Sequence, residues 1–261
     1  MRCRFQPFLV LALLLLGATG GCSAHSGSAP KAPIASAPTA GSVRTVSFHT
    51  RDGWTIVGDL YLPKGPSQGA VILLHQRGGQ ASDWEPLSKA LQKAGYVALA
   101  IDQRGAGRST QGPGPTGADA PWDTSGDIAA AIAFLRGKGP IGLAGASYGA
   151  NNALIYAASH PQQVKALVLL SPGANYHGLD ALTPARRCNT PTLILHDQGD
   201  SIADNGPQQI GELLPGNNHL LKVLPGSEHG TALLNEDDTI ATILDFYKNH
   251  LASSNGAKGK R

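Results

Sequence analysis

Ile141-Gly142-Leu143-Ala144-Gly145-Ala146-Ser147-Tyr148-Gly149-Ala150-Asn151-Asn152-Ala153-Leu154-Ile155-Tyr156 is the stretch that decides the fold. Residues 141–144 form a short unbroken apolar run, as expected of a strand buried on both faces in a parallel sheet. Residues 148–159 carry apolar side chains at helical spacing. Between them, Gly145-Ala146-Ser147-Tyr148-Gly149 matches G-x-S-x-G. A strand-turn-helix setting forces the serine into a sharp turn that exposes its hydroxyl, and small neighbours are needed to avoid clashes. The pattern alone decides little, because Gly65-Pro66-Ser67-Gln68-Gly69 matches as well. That copy opens with a Pro-containing turn and precedes a strand, so Ser67 reads as a loop residue. Ser147 is the candidate nucleophile.

Working outward, residues 70–74, 97–101, 166–170 and 192–195 are apolar runs of the same kind. Residues 83–94, 123–136 and 235–251 have helical spacing, the last with Asn235 as its cap and Glu236, Asp237 and Asp238 at its positive end. Ahead of these, residues 43–50 and 54–62 alternate polar and apolar around Arg51-Asp52-Gly53, which predicts an antiparallel hairpin. Strands alternating with helices imply right-handed crossovers and a doubly wound, mostly parallel sheet with helices on both faces. Sites in such sheets form at the carboxyl ends of strands.

A serine hydroxyl needs a base, and the base needs an orienting acid. Of nine histidines, His229 follows the apolar stretch 220–224 and precedes the last helix, where an exposed base belongs. His75 and His196 end strands and read equally well as packed residues. Asp200, turned by Gly199 after the strand 192–195, ranks first as the acid, ahead of Asp197 and Asp204. Two backbone N–H groups should stabilise the developing oxyanion. Tyr148 supplies one, and the loop after residues 70–74 supplies the other, with Arg77 first and Gln76 second. Only about 20 residues separate Ser171 from Pro191, the length of a long loop and short of a lid domain. Asn175, Tyr176, His177 and Leu179 in that loop are candidate substrate-wall residues, with a plain surface loop as the alternative. With no Cys or His pair at ligand spacing, no metal or organic cofactor is expected.

The order of hairpin, His75-Gln76-Arg77-Gly78-Gly79, Asp102-Gln103-Arg104-Gly105-Ala106-Gly107-Arg108-Ser109, the serine turn, Gly199-Asp200 and His229-Gly230 resembles the α/β-hydrolase family across residues 43–251. Its compactness is similar to the dienelactone-hydrolase-like and small-esterase branches, which lack large caps. The dienelactone hydrolases carry Cys where Ser147 stands, and many relatives have His-Gly where this chain has His75-Gln76. The resemblance implies a serine hydrolase that cleaves a carboxylic ester of a small-molecule substrate through an acyl-enzyme. Amide, thioester or peracid chemistry on the same triad is the alternative, as is a non-catalytic hydrolase-like lipoprotein.

The ends of the chain carry a different signal. Arg2 and Arg4 precede a nine-residue apolar run, too short to span a bilayer, and residues 17–22 end at Cys22 in a pattern similar to a bacterial lipoprotein cleavage site. Residues 1–22 therefore read as an export signal with Cys22 lipidated, residues 23–42 as a flexible Ala/Ser/Pro-rich linker, and residues 252–261 as a basic disordered tail. The expected location is the bacterial cell envelope, tethered to a membrane, with secretion or a periplasmic location as the alternative. Six of the 21 Lys and Arg lie in these ends, leaving 15 against 18 acids in the body. A slightly acidic body with no basic stripe excludes the nucleic-acid-binding class.

Overall fold

The computed structural model describes residues 41–251. The leader, Cys22, nearly all of the linker and the basic tail lie outside the described residues.

The hairpin forms where the alternating pattern predicts it. Strands β1 (Ser42–His49) and β2 (Thr55–Leu62) pair antiparallel, and Gly53 takes the positive φ of 93° that the turn between them requires. The apolar runs become β3 (Ala70–Leu74), β4 (Val97–Asp102), β5 (Ile141–Ala146), β6 (Ala166–Leu170), β9 (Thr192–Asp197) and β10 (His219–Leu224). The main sheet runs β1-β2-β4-β3-β5-β6-β9-β10, antiparallel at β1/β2 and β2/β4 and parallel elsewhere.

Alternation along the central strands divides the core between the two faces of the sheet. Ile72 and Leu74 of β3 pack with α2 (Ser125–Phe134), α3 (Tyr148–Ser159) and α5 (Gly206–Leu213). Val71 and Leu73 pack on the other face with α1 (Glu85–Lys93) and α6 (Thr239–His250). All five β3 residues are fully buried, and each large aliphatic side chain so placed contributes about 1.5–3 kcal/mol. This two-sided burial is why the strands read as continuous apolar runs.

Two local expectations change. The last helix begins at Thr239 with Asp238 as its N-cap, not at Asn235. Residues Gly230–Asn235 instead wind as a 3₁₀ turn that buries Leu233 and Leu234, so Glu236, Asp237 and Asp238 precede the helix rather than filling its first turn. The loop after β6 contains a two-residue hairpin, β7 (Asn175–Tyr176) and β8 (Leu179–Asp180), and a short helix, α4 (Leu182–Ala185). Helix α5 opens on Gly206-Pro207, where the first-turn proline costs no helical hydrogen bond.

Candidate functional site

The parallel strands β3, β5, β6, β9 and β10 all end at one rim, and the candidate residues gather there. Ser147 sits between β5 and α3 with φ 53° and ψ −121°, a left-handed strain that a non-glycine residue adopts only where its surroundings impose it. The surroundings are tight. A Cβ on Gly145 would strike the carbonyl of Gly149, and one on Gly149 would strike the Leu74 carbonyl and lie 2.6 Å from that of His75. The turn is thus pressed against the end of β3, and the Ser147 N–H donates to the Leu170 carbonyl of β6 at 2.8 Å. Tyr148 opens α3, so its N–H has no acceptor within the helix and points to the rim at the positive end of the dipole.

His229 and Asp200 are brought together. The imidazole Nδ1–H donates to the Asp200 carboxylate, 2.9 Å from Oδ1 and 2.8 Å from Oδ2. Oδ1 also accepts the N–H groups of Ile202 at 3.0 Å and Ala203 at 3.1 Å. Burial pushes the Asp200 carboxyl up, but hydrogen bonds from Ser171, His229 and the Ala203 N–H outweigh it and leave the group below the ordinary carboxylate value. The rival acids have other partners. Asp197 is buried and accepts the Glu228 N–H at 2.6 Å, while Asp204 is exposed and its N–H donates to the Asp200 carbonyl.

Among the described residues, no hydrogen bond joins the Ser147 hydroxyl to His229; the two are held from common neighbours. The Gly230 N–H donates to Ser171 Oγ at 3.0 Å, Ser171 also bonds Asp200, and the Tyr176 phenol lies beside the Ser147 hydroxyl while donating to the Ser171 carbonyl at 3.3 Å. Catalytic hydrogen bonds in unliganded sites are often long and tighten with substrate.

His75 and His196 are structural. The Gln103 N–H donates to His75 Nε2 at 3.0 Å, so the ring proton resides on Nδ1 and donates to the Gln76 carbonyl at 2.7 Å. Burial lowers the His75 pKa and keeps the ring neutral, as this pattern requires. His196 repeats the arrangement, with Nδ1–H to the Asp197 carbonyl at 2.9 Å and Gln208 donating to Nε2 at 3.1 Å.

The loop after β3 is braced by the side chain of Arg77. Its Nη2 donates to the carbonyls of Ala118 at 2.6 Å and Ala120 at 2.9 Å, and the guanidinium lies 4.3 Å from the ring centre of Trp122. His177 stacks on Trp122 at 4.2 Å, and Trp122 meets Tyr148 edge-on at 5.7 Å. Of the four candidate wall residues, His177 joins this cluster and Tyr176 lies beside the Ser147 hydroxyl. Asn175 and Leu179 do neither: the Asn175 side chain accepts the Gly178 N–H at 2.8 Å to close the hairpin, and Leu179 is buried with its carbonyl held by Asn151 at 3.0 Å. Trp122 and Ser171 were not anticipated. Ser171 directly follows β6 and was open to the strand-end rule, whereas Trp122 carries no local signal. Among the described residues, no group of three His, Cys, Asp or Glu side chains is arranged to hold a metal ion.

Residues 69–186 match the alpha/beta hydrolase fold family. A rat (Rattus norvegicus) protein named "Putative protein-lysine deacylase ABHD14B" is 30% identical over 183 residues, covering 68% of this chain and 82% of that one. Among solved structures, the Pyrococcus furiosus esterase Pf2001 superposes with a TM-score of 0.67 at 20% identity, over 81% of this chain and 94% of that one. The dienelactone hydrolase of Anabaena variabilis superposes with a TM-score of 0.64 at 20% identity, over 80% and 98%. With a strained serine turn, a His-Asp pair on one rim and these relatives, the chain belongs to the α/β-hydrolase family.

Proposed function

We propose that the chain is a serine hydrolase that cleaves a carboxylic ester through an acyl-enzyme. The His229–Asp200 pairing, on the rim where Ser147 is strained outward, is the observation that carries this reading. Ser147 Oγ attacks the acyl carbonyl while His229 Nε2 takes its proton. Asp200 fixes the tautomer by accepting the Nδ1 proton and stabilises the imidazolium that forms. The N–H groups of Tyr148 and Arg77, with Gln76 the alternative to Arg77, donate to the oxyanion as it develops. His229 then protonates the leaving alcohol, and a water activated by the same imidazole releases the acid and restores Ser147. Tyr176 and His177 border the substrate. A fluorophosphonate probe should label wild-type protein and not Ser147→Ala; equal labelling of both excludes this mechanism, and labelling of neither favours a ligand-binding protein.

A second reading, an acyl-amide substrate on the same triad, is favoured by the name of the rat relative. Turnover of an acetyl-lysine peptide against a short-chain aryl ester separates the two.

We also propose export and anchoring through Cys22, with the residues that follow as a spacer from the membrane. The apolar leader ending at Gly20-Gly21-Cys22 supports it. Labelled palmitate should enter the wild type and not Cys22→Ala, and incorporation into both counts against that anchor.

A further inference from the structure

We propose that Gln76 is a positioning residue whose side chain ties the oxyanion loop to the loop carrying His229. The inference rests on the serine-hydrolase reading above. Gln76 follows His75 at the end of β3 and immediately precedes Arg77, whose N–H is the expected second oxyanion donor. Its carbonyl is fixed by the His75 Nδ1–H at 2.7 Å and the Gly79 N–H at 2.9 Å. Its side chain reaches across the rim: Oε1 accepts the Thr231 hydroxyl at 2.9 Å and the Thr231 N–H at 3.3 Å.

The receiving loop is shaped for this contact. Gly230, between His229 and Thr231, has φ 63°, and a Cβ there would lie 3.1 Å from Gln76 Oε1. A side chain at 230 would therefore be strained in its backbone and crowd the strut. Other bonds dock the same loop: Gly199 N–H to the Gly226 carbonyl, Glu228 N–H to Asp197, His229 to Asp200 and Gly230 N–H to Ser171. All run to residues at or just after the ends of β6 and β9, and none reaches the loop after β3. The Gln76–Thr231 contact links the base to the oxyanion donor across 155 positions of sequence. A glycine at position 76, the residue of the related His-Gly pattern, has no side chain to make this link. Proton transfer and oxyanion stabilisation occur in one transition state, and both need placement to within about 0.5 Å. The strut should therefore act on kcat rather than on ground-state binding.

The test measures kcat, KM and thermal midpoint on a short-chain aryl ester for wild type, Gln76→Met, Thr231→Val, the double variant, Thr231→Ser and Ser147→Ala. Gln76→Met and Thr231→Val should each lower kcat about tenfold, the scale of one hydrogen bond, with KM changed less than about twofold. The double variant should be no slower than the worse single, because both remove the same link. Thr231→Ser keeps the hydroxyl and should retain wild-type kcat. Losses that multiply in the double variant, a Thr231→Ser enzyme as slow as Thr231→Val, or lower midpoints with kcat unchanged would each overturn the proposal. If Ser147→Ala is inactive while Gln76→Met matches wild type, this inference alone fails. If Ser147→Ala matches wild type, the serine-hydrolase reading fails and takes the inference with it.

Discussion

Asp200 holds His229 with both carboxylate oxygens, at 2.9 and 2.8 Å from Nδ1. An acceptor on that side assigns the neutral ring's proton to Nδ1 and leaves Nε2 as the ring's proton acceptor. Asp200→Asn reverses the logic, because its amide N–H₂ stabilises the wrong tautomer. On the serine-hydrolase reading, kcat for an aryl ester should fall by roughly 10³- to 10⁴-fold with little change in fold. A loss smaller than about tenfold on this assay would remove Asp200 from the relay.

The same carboxylate makes stability depend on acid. Its hydrogen bonds hold the folded-state carboxyl below the ordinary aspartate value of 3.8, against the opposing effect of burial. A carboxyl depressed on folding stabilises the protein at pH well above 3.8, and the contribution is lost as the pH falls through the folded value. The stability gap between wild type and Asp200→Asn should therefore be full at neutral pH and narrow below about pH 4. Urea melts at pH 7 and pH 3 check this; an equal or wider gap at the lower pH contradicts it.

The serine turn offers a test of packing. Adding a methyl at Gly149 brings it 2.6 Å from the His75 carbonyl and closer still to that of Leu74, both backbone atoms at the end of a buried strand. Neither can move without breaking the β3–β5 pairing. Gly149→Ala should cost about 3 kcal/mol or more, lowering the thermal midpoint by roughly 6–12 °C. An unchanged midpoint would mean that the turn is looser than described.

Much of this arrangement was legible in the chain because it is written in short-range patterns. Unbroken apolar runs mark strands covered on both faces, and Gly145 and Gly149 stand where the close approach of backbone excludes a Cβ. Position after strands, rather than their neighbours, is what singles out Asp200 and His229 in the sequence, and the structure pairs the two side chains. What stayed hidden depends on contacts between distant segments. Arg77 meets the 118–120 carbonyls and Trp122 only after β3 and the segment before α2 come together. The late start of α6 follows from burying Leu233 and Leu234 in the preceding 3₁₀ turn, which outweighs the local capping preference of Asn235.

Arg77 provides the next prediction. Its guanidinium forms two bonds to main-chain carbonyls while lying over an indole, a combination that needs a planar, forked donor. A lysine ammonium supplies the charge without the fork or the stacking plane. Arg77→Lys should therefore lower kcat nearly as much as Arg77→Ala, by about 10- to 100-fold, on the scale of one or two hydrogen bonds. Full activity in the lysine variant would show that charge alone suffices.

Tyr176 separates two roles for a phenol beside the Ser147 hydroxyl. Burial raises its pKa to about 12, with a smaller opposing effect from the Ser147 hydroxyl. The phenol therefore keeps its proton across the working range and acts as a donor, not as a base. Its ring lies flat against Gly173, where any Cβ would overlap it, so the hydroxyl is held rigidly toward Ser147 and the Ser171 carbonyl. Tyr176→Phe keeps the ring and removes only the donor. It should fold with a midpoint close to wild type and lower kcat about 3- to 30-fold, the range for one buried hydrogen bond. Because the phenol stays protonated, the rising limb of the pH–rate profile, which reports the proton-accepting group, should keep its position in the variant. A rising limb that moves or disappears with Tyr176→Phe would assign the proton-accepting role to the phenol and displace His229 from it.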